Sequence, residues 1–159
     1  MAEINYQTKQ MAELLPKIAR NLRFAPLMNK IKPGLTTSQL MILLILKDTN
    51  GIALPIGKLA QELAISFPAV SGIVNRLYKQ RLIKRVHSRQ DRRVVLVKLS
   101  NAGEKTIDKL PKVFEELLSN TFAKIPFAEQ KTISKAVKKV FEFSTVLSQN
   151  NHKENISLS

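Results

Sequence analysis

Residues 87–100, HSRQDRRVVLVKLS, join a cluster of charge to a run of valine and leucine. The run from Val94 to Leu99 alternates in the manner of a strand with one buried face, so the charges lie at the tip of a predicted β-hairpin. Guanidinium groups bind phosphate and carboxylate oxygens through several hydrogen bonds at once. The cluster therefore indicates a site for an anion. Its three basic residues and its single acid are Arg89, Arg92, Arg93 and Asp91.

A second group of polar side chains lies on one face of a helix that the sequence predicts after Ser66. Its apolar stripe has the spacing of a helix packed on a core and comprises Val70, Ile73, Val74 and Leu77. The opposite face carries Ser71, Gly72, Asn75, Arg76 and Lys79. Asparagine and arginine are the side chains that make bidentate contacts to adenine and guanine, respectively. An ordinary solvated face is the alternative, and this helix alone does not decide between them.

The charge of the chain is concentrated around these two groups. The 159 residues include 26 lysines and arginines against 12 acids, for a net charge of +14. Residues 54–100 hold ten of the basic residues and two of the acids, a net charge of +8. Such an asymmetry indicates a polyanionic partner, either nucleic acid or an anionic membrane surface. A basic protein without such a partner is the remaining alternative.

Several classes of function are disfavoured by composition. The absence of cysteine excludes disulfides, thiolate catalysis and cysteine-ligated zinc. The two histidines, His87 and His152, are too far apart to suggest a metal site. With no glycine-rich phosphate loop and no catalytic triad pattern, we expect neither an enzyme nor a cofactor. The apolar run Leu40–Leu46 is far below the roughly 20 residues that cross a bilayer, and no signal peptide is visible. We therefore expect a cytoplasmic protein with no membrane partner.

Helical patterns dominate the rest of the chain. A long N-terminal helix is predicted to about residue 31, which Pro26 should kink or interrupt. Thr36 and Gln39 fit a capping box that opens the next helix. After the hairpin, Asn101 is the predicted cap of another helix. Pro111 should bend that helix unless it lies close enough to the helix start to be harmless. A last helix is predicted from about 128 to 147. The apolar stripe of the first helix comprises Met11, Leu14, Leu15, Ile18 and Leu22.

The order of the central elements is more informative than any one of them. Two short amphipathic helices joined by a few residues form a helix-turn-helix, and a hairpin directly after it is a wing. The predicted fold is therefore mainly α with a small β-hairpin wing, a winged helix-turn-helix flanked by long helices. The apolar stripes of those flanking helices predict a homodimer of C₂ symmetry. An intramolecular bundle is the alternative.

The central segment LAISFPAVSGIVNRLYKQRLIKRVHSRQDRRVVLVKLSNAG resembles the recognition helix and wing of the MarR family of winged helix-turn-helix regulators, and GLTTSQLMILLIL resembles the preceding helix. The resemblance extends from about residue 35 to 105. It implies a homodimer that binds palindromic double-stranded DNA, and we expect it to act as a repressor. It also implies, for many members, release of DNA by a small phenolic or anionic effector.

The resemblance divides the chain into an N-terminal dimerisation helix (1–34), the DNA-binding domain (35–100), C-terminal dimerisation helices (101–148) and a polar tail (149–159), which we expect to be disordered. It places Arg93 in the minor groove, with Asp91 holding its guanidinium. The full predicted DNA-binding set is Ser66, Pro68, Ala69, Ser71, Gly72, Asn75, Arg76, Lys79, Arg89, Asp91, Arg92 and Arg93.

One position departs from the family pattern. Arg81 stands where the family usually has glycine, between the recognition helix and the first wing strand. A left-handed residue commonly ends a helix there, so either the helix ends differently or Arg81 gains a contact such as a phosphate. The competing function for the whole chain is a winged-helix interaction module that binds RNA or another regulatory protein.

Overall fold

The helices follow the sequence pattern with shifted boundaries. The computed structural model describes residues 2–21, 24–88 and 90–157, so the predicted site residue Arg89 and the apolar Leu22 lie outside the described residues. Within those ranges the helices are α1 Ala2–Asn21, α2 Phe24–Ile31, α3 Thr37–Asp48, α4 Ile56–Leu63, α5 Phe67–Lys79, α6 Asn101–Ile107, α7 Leu110–Phe122 and α8 Phe127–Ser157.

A small antiparallel sheet carries the wing. Its strands are β1 Leu54–Pro55, β2 Ile83–His87 and β3 Val95–Leu99, in the spatial order β1-β3-β2. Ile83 pairs with Leu99 at the base of the hairpin, and His87 pairs with Val95 near its tip. Val97 and Leu99 are buried, which confirms the predicted buried face of the second strand. The mainly helical fold with a hairpin wing is therefore confirmed.

The hydrophobic core of this part of the chain is built around α3. Ile42, Leu43 and Leu46 are buried there, and the helix contacts α2, α4, α5, α6 and β3. The predicted capping box begins it: the Thr36 hydroxyl accepts from the Gln39 backbone N–H at 3.3 Å, and the Gln39 side chain accepts from the Thr36 N–H at 3.0 Å. Together, cap and burial explain why an apolar run that could form a strand forms a helix.

The predicted N-terminal helix is interrupted before Pro26, and Pro111 lies close enough to a helix start to cause no bend, so each proline lies in the first turn of a helix. Pro26 is the third residue of α2 and Pro111 is the second residue of α7, positions where the missing N–H has no intrahelical partner to lose. The chain is divided before each of them. The cap of α6 is also shifted by one residue from the prediction, because the Ser100 hydroxyl, not Asn101, accepts from the Gly103 N–H at 3.0 Å.

The chain divides into two compact units, residues 1–113 and 114–159. The second unit comprises most of α7 together with α8, and the Gln130 side chain donates to the carbonyls of Phe122 and Ile125 at 2.9 and 2.7 Å, which closes the turn between them. The backbone of α8 is helical through Ser157, where the sequence predicted a disordered tail from 149. No glycine or proline interrupts 127–157, so nothing in the local sequence stops the helix.

Candidate nucleic-acid interface

Helix α5, the predicted recognition helix, is held against α4 by a tight link. Ala64 ends α4 in a left-handed conformation, with φ of 52°, and its N–H donates to the Gln61 carbonyl at 3.1 Å. The Ile65 N–H reaches back to the Ala60 carbonyl at 3.2 Å. These two bonds satisfy the carbonyls at the end of α4 and turn the chain sharply into α5. The pair is therefore a helix-turn-helix with only a few linking residues.

Two faces of α5 differ in the way that the sequence predicts. The stripe Val70, Ile73, Val74 and Leu77 is buried. Ser66, Pro68, Ala69, Asn75, Arg76 and Lys79 are exposed, and Ser71 and Gly72 are half-buried. Ser66 occupies the N-cap position, yet its side chain makes no capping hydrogen bond, so the hydroxyl is not consumed by the helix end. The predicted face is thus a polar surface beside the wing.

A shallow concavity lies in the middle of this face. Gly72 forms part of it, and a Cβ added at Gly72 would meet nothing within 4 Å. The absence of a side chain here leaves room for another molecule to approach the backbone. Two of the residues around it, Phe67 and Arg85, were not among the sequence-predicted site residues. The concavity is lined by Phe67, Pro68, Ser71, Gly72, Asn75 and Arg85.

Arg85 brings the first wing strand to the recognition helix. Its Nη2 donates to Asn75 Oδ1 at 3.3 Å, and its guanidinium carbon lies 4.6 Å from the centroid of the Tyr78 ring. Both partners are exposed on α5. The alternation of β2 was the one sequence signal that could have indicated this contact, since it places Arg85 on the same side of the strand as Ile83 and His87. Alternation does not say which helix residue faces a strand residue, however.

The wing tip is organised by local hydrogen bonds. The Ser88 N–H donates to the Val94 carbonyl at 3.0 Å, and the Val94 N–H donates to the Asp91 carbonyl at 3.0 Å. His87 Nδ1 lies 3.0 Å from the Arg92 carbonyl. Arg92 and Arg93 are exposed at this tip. Two predicted site residues are therefore held at the end of the hairpin with their side chains in solvent.

Asp91 makes a different bond from the expected one. Its Oδ1 accepts from the backbone N–H of Arg93 at 2.9 Å, forming an Asx turn. The sequence interpretation had Asp91 hold the Arg93 guanidinium. For these two described residues, the bond made is to the main chain, so Asp91 shapes the loop that presents Arg93 instead of orienting its charged group. A two-residue separation favours this outcome, because a short carboxylate reaches the nearby backbone most easily.

A basic concavity lies at the C-terminal end of α5, where Tyr78, Lys79, Arg81, Ile83, Lys84 and Ser100 line a second depression. Three of these residues, Lys79, Arg81 and Lys84, are exposed cations. Only Lys79 was in the predicted DNA-binding set. Charges grouped in this way favour the approach of an anion.

Comparison with known proteins gives a family match for the central segment. The MarR family model matches residues 34–94, which hold the helix-turn-helix, the first wing strand and the wing tip. These residues form a MarR-family segment. An uncharacterized HTH-type transcriptional regulator, YhbI of Bacillus subtilis, is 28% identical over 96 residues, which are 60% of this chain and 62% of YhbI. The HTH-type transcriptional repressor MdtR of Bacillus subtilis is 33% identical over 73 residues, 46% of each chain. The chain thus spans less than two thirds of either curated relative.

Solved structures give the same fold. A mutant of MepR from S. aureus, bound to an oligodeoxyribonucleotide, is similar with a TM-score of 0.63 at 20% identity, covering 82% of this chain and 95% of that one. MarR-family proteins are transcription regulators and not enzymes, in agreement with the sequence prediction. In the part of the chain that the structure describes, no group of histidines and acids is placed to share a metal ion. Every helix in the described ranges falls short of what a membrane span requires.

The MarR-family glycine position is occupied by a strained arginine. Helix α5 ends in the way that the glycine pattern predicts: Gln80 is its C-cap, and the next residue, Arg81, adopts a left-handed φ of 59°. The Arg81 N–H donates to the Tyr78 carbonyl at 2.9 Å and the Leu82 N–H to the Leu77 carbonyl at 3.0 Å. These are the two bonds of a Schellman motif. The geometry that glycine normally allows is therefore kept here at a conformational cost.

Proposed function

We propose that this chain is a transcriptional repressor that binds palindromic double-stranded DNA as a homodimer. The recognition helix α5 enters the major groove, and the wing tip at Asp91–Arg93 reaches the minor groove. The observation that carries the proposal is the exposed polar face of α5 beside an exposed cationic wing in the same compact unit. The predicted cytoplasmic location is part of the same proposal, because a repressor acts where the chromosome lies.

The charge distribution supports DNA as the partner. Arg76 and Lys79 on α5 and Arg92 and Arg93 on the wing are exposed. Cations in such positions neutralise phosphates and release counterions, so the affinity falls steeply as salt rises. The narrow minor groove of A·T-rich DNA also attracts an inserted arginine. Arg93 is the arginine that we assign to this role.

Exposed apolar surfaces at both ends of the chain support a homodimer. On α1, Leu14 and Ile18 are 53% and 50% exposed. On α8, Val137 and Val140 are 62% and 64% exposed. Each pair lies on one face of its helix. Apolar faces of this kind are typical of surfaces that another chain covers, and a second copy of this chain provides matching helices. Two recognition helices related by a two-fold axis read half-sites about one helical turn, or ~34 Å, apart.

The decisive experiment is selection of bound duplexes from a random DNA pool by the full chain, followed by titration of the selected sequence. Arg93→Ala and Asn75→Ala should each weaken binding. The control is Lys131→Ala, which removes one charge from α8; its affinity for the selected duplex should change only by the small amount expected when one distant, screened charge is lost. Wild-type affinity in both interface variants would refute the assigned face. Enrichment of RNA in a parallel selection, with none of DNA, would favour the interaction-module alternative.

Two further measurements test the finer parts of the proposal. Sedimentation equilibrium should give twice the 17.9 kDa mass of one chain, and the selected sequence should be palindromic. Release by a small phenolic or anionic effector rests on the family assignment alone. Its test is titration of the protein–DNA complex with salicylate, with benzyl alcohol as the uncharged control. Unchanged binding at millimolar salicylate would remove that ligand class from the proposal.

A further inference from the structure

The carboxamide of Asn75 has a defined orientation before any DNA is bound. Arginine carries only donors, so the group that faces Arg85 Nη2 at 3.3 Å must be the Asn75 oxygen. The amide nitrogen, with its two N–H donors, is then turned away from Arg85. An exposed asparagine without such a partner would present either end of its amide. Arg85 therefore decides which end is presented.

Tyr78 holds the guanidinium in this position. Asn75 and Tyr78 are three residues apart on α5 and lie side by side on its surface. The Arg85 guanidinium carbon lies 4.6 Å from the Tyr78 ring centroid, within the range of a cation–π contact. One side of the guanidinium is thus placed over the ring while Nη2 reaches the amide. Lysine could supply the charge but not this planar arrangement.

We propose that Arg85 is a positioning residue for base reading, and that the Asn75–Arg85 pair selects guanine in the major groove. This inference rests on the proposed function, since it requires α5 to lie in that groove. Asn75 and Arg85 both line the concavity that contains Gly72, and the bond between them uses the Asn75 oxygen and leaves its Nδ2 donors for another partner. Guanine offers two acceptors, N7 and O6, on its major-groove edge. A donor-rich group is complementary to that edge.

Adenine fits this arrangement less well. A bidentate contact from asparagine to adenine requires Oδ1 to accept from the N6 amino group while Nδ2 donates to N7. In this structure Oδ1 already accepts from a cation, and the positive guanidinium beside it opposes the approach of another donor. The general expectation that asparagine reads adenine is therefore reversed at Asn75 by its neighbour on β2.

The test compares base preferences and not only affinities. DNA is selected from a random pool with the full-length wild type and with Asn75→Ala, and the position at which Asn75→Ala flattens the preference identifies the base that this residue reads. Arg85→Lys keeps the charge and should flatten the same position, reducing the preference for guanine by about tenfold, the size of one lost bidentate discrimination. Tyr78→Ala should act in the same direction, and Tyr78→Phe, which keeps the ring, should preserve the preference.

Lys84→Ala is the matched control, because Lys84 is the neighbouring cation on β2 and points to the other side of the strand. It should lower the affinity for all sequences alike. Circular dichroism checks that each variant is folded. The proposal is overturned if wild type prefers adenine at the Asn75 position, or if Arg85→Lys keeps the wild-type preference there. Failure of the wild type to enrich any DNA would overturn the proposed function, and this inference with it, so the two failures are distinguishable.

Discussion

Replacement of Arg81 by glycine should stabilise the protein. Arg81 has a φ of 59°, and the left-handed conformation costs a residue with a Cβ about 1–2 kcal/mol. Glycine adopts it freely, but glycine also adds freedom to the unfolded chain, which offsets about 0.4–1 kcal/mol of the gain. The net increase in the free energy of unfolding is then about 0.5–1 kcal/mol. For a chain of this size, that corresponds to a rise in Tm of roughly 1–4 °C.

Thermal and urea unfolding at equal protomer concentration measure this change, since the stability of the proposed dimer would depend on concentration. Arg81→Ala keeps the Cβ and should show no comparable gain. Gln80→Gly is the positional control: Gln80 has a φ of −78°, so glycine relieves no strain there and should destabilise by about 0.5–1 kcal/mol. If Arg81→Gly is no more stable than Arg81→Ala, the strain argument is refuted.

Arg81→Gly should also weaken DNA binding if the Arg81 side chain contacts a phosphate. Arg81 lines the basic concavity together with Lys79 and Lys84. Loss of one phosphate contact reduces the slope of log affinity against log salt by about one. Arg81→Gly and Arg81→Ala should reduce the slope equally, although they differ in stability. An unchanged slope in both variants would exclude a phosphate contact by this guanidinium.

Three other substitutions have defined outcomes. Gly103→Ala should lower the free energy of unfolding in urea by about 1–3 kcal/mol through overpacking, because the added Cβ would collide with the backbone carbonyl of Leu82. Gly57→Ala is the control, since a Cβ there meets nothing within 4 Å. It should raise the free energy of unfolding by about 0.5–1 kcal/mol. Asp91→Ala removes one negative charge yet should weaken binding to the selected duplex, since the Arg93 N–H loses its acceptor. Tighter binding in a fluorescence titration would favour simple electrostatics.

Local sequence patterns predicted those features that depend on neighbours along the chain. The stripe Val70, Ile73, Val74 and Leu77 is buried as its spacing predicts, and the Thr36–Gln39 capping box is confirmed. Both are determined within one or two helical turns. The winged helix-turn-helix was equally predictable, because the order of two helices and a hairpin can be read directly from such local patterns.

Contacts between elements were not predictable in the same way. The bond from Arg85 to Asn75 joins a strand to a helix ten residues earlier, and no periodicity specifies which side chains meet across that gap. The roles of the two prolines also depended on where each helix begins. Pro26 and Pro111 break a helix only if it has already started, and the structure starts α2 and α7 just before them.

The base of the wing is held by a cluster of hydrogen bonds around Ser100 that no sequence motif predicts. The Ser100 hydroxyl donates to the Arg81 carbonyl at 2.6 Å and accepts from the Gly103 N–H at 3.0 Å, while the Ser100 N–H donates to the Leu82 carbonyl at 3.1 Å. Ser100 is buried, so solvent competes little for these bonds. They tie the end of α5, both ends of the wing and the start of α6 to one residue. Arg81 is thus held in its left-handed conformation by bonds to its neighbours, at the position where the family usually has glycine.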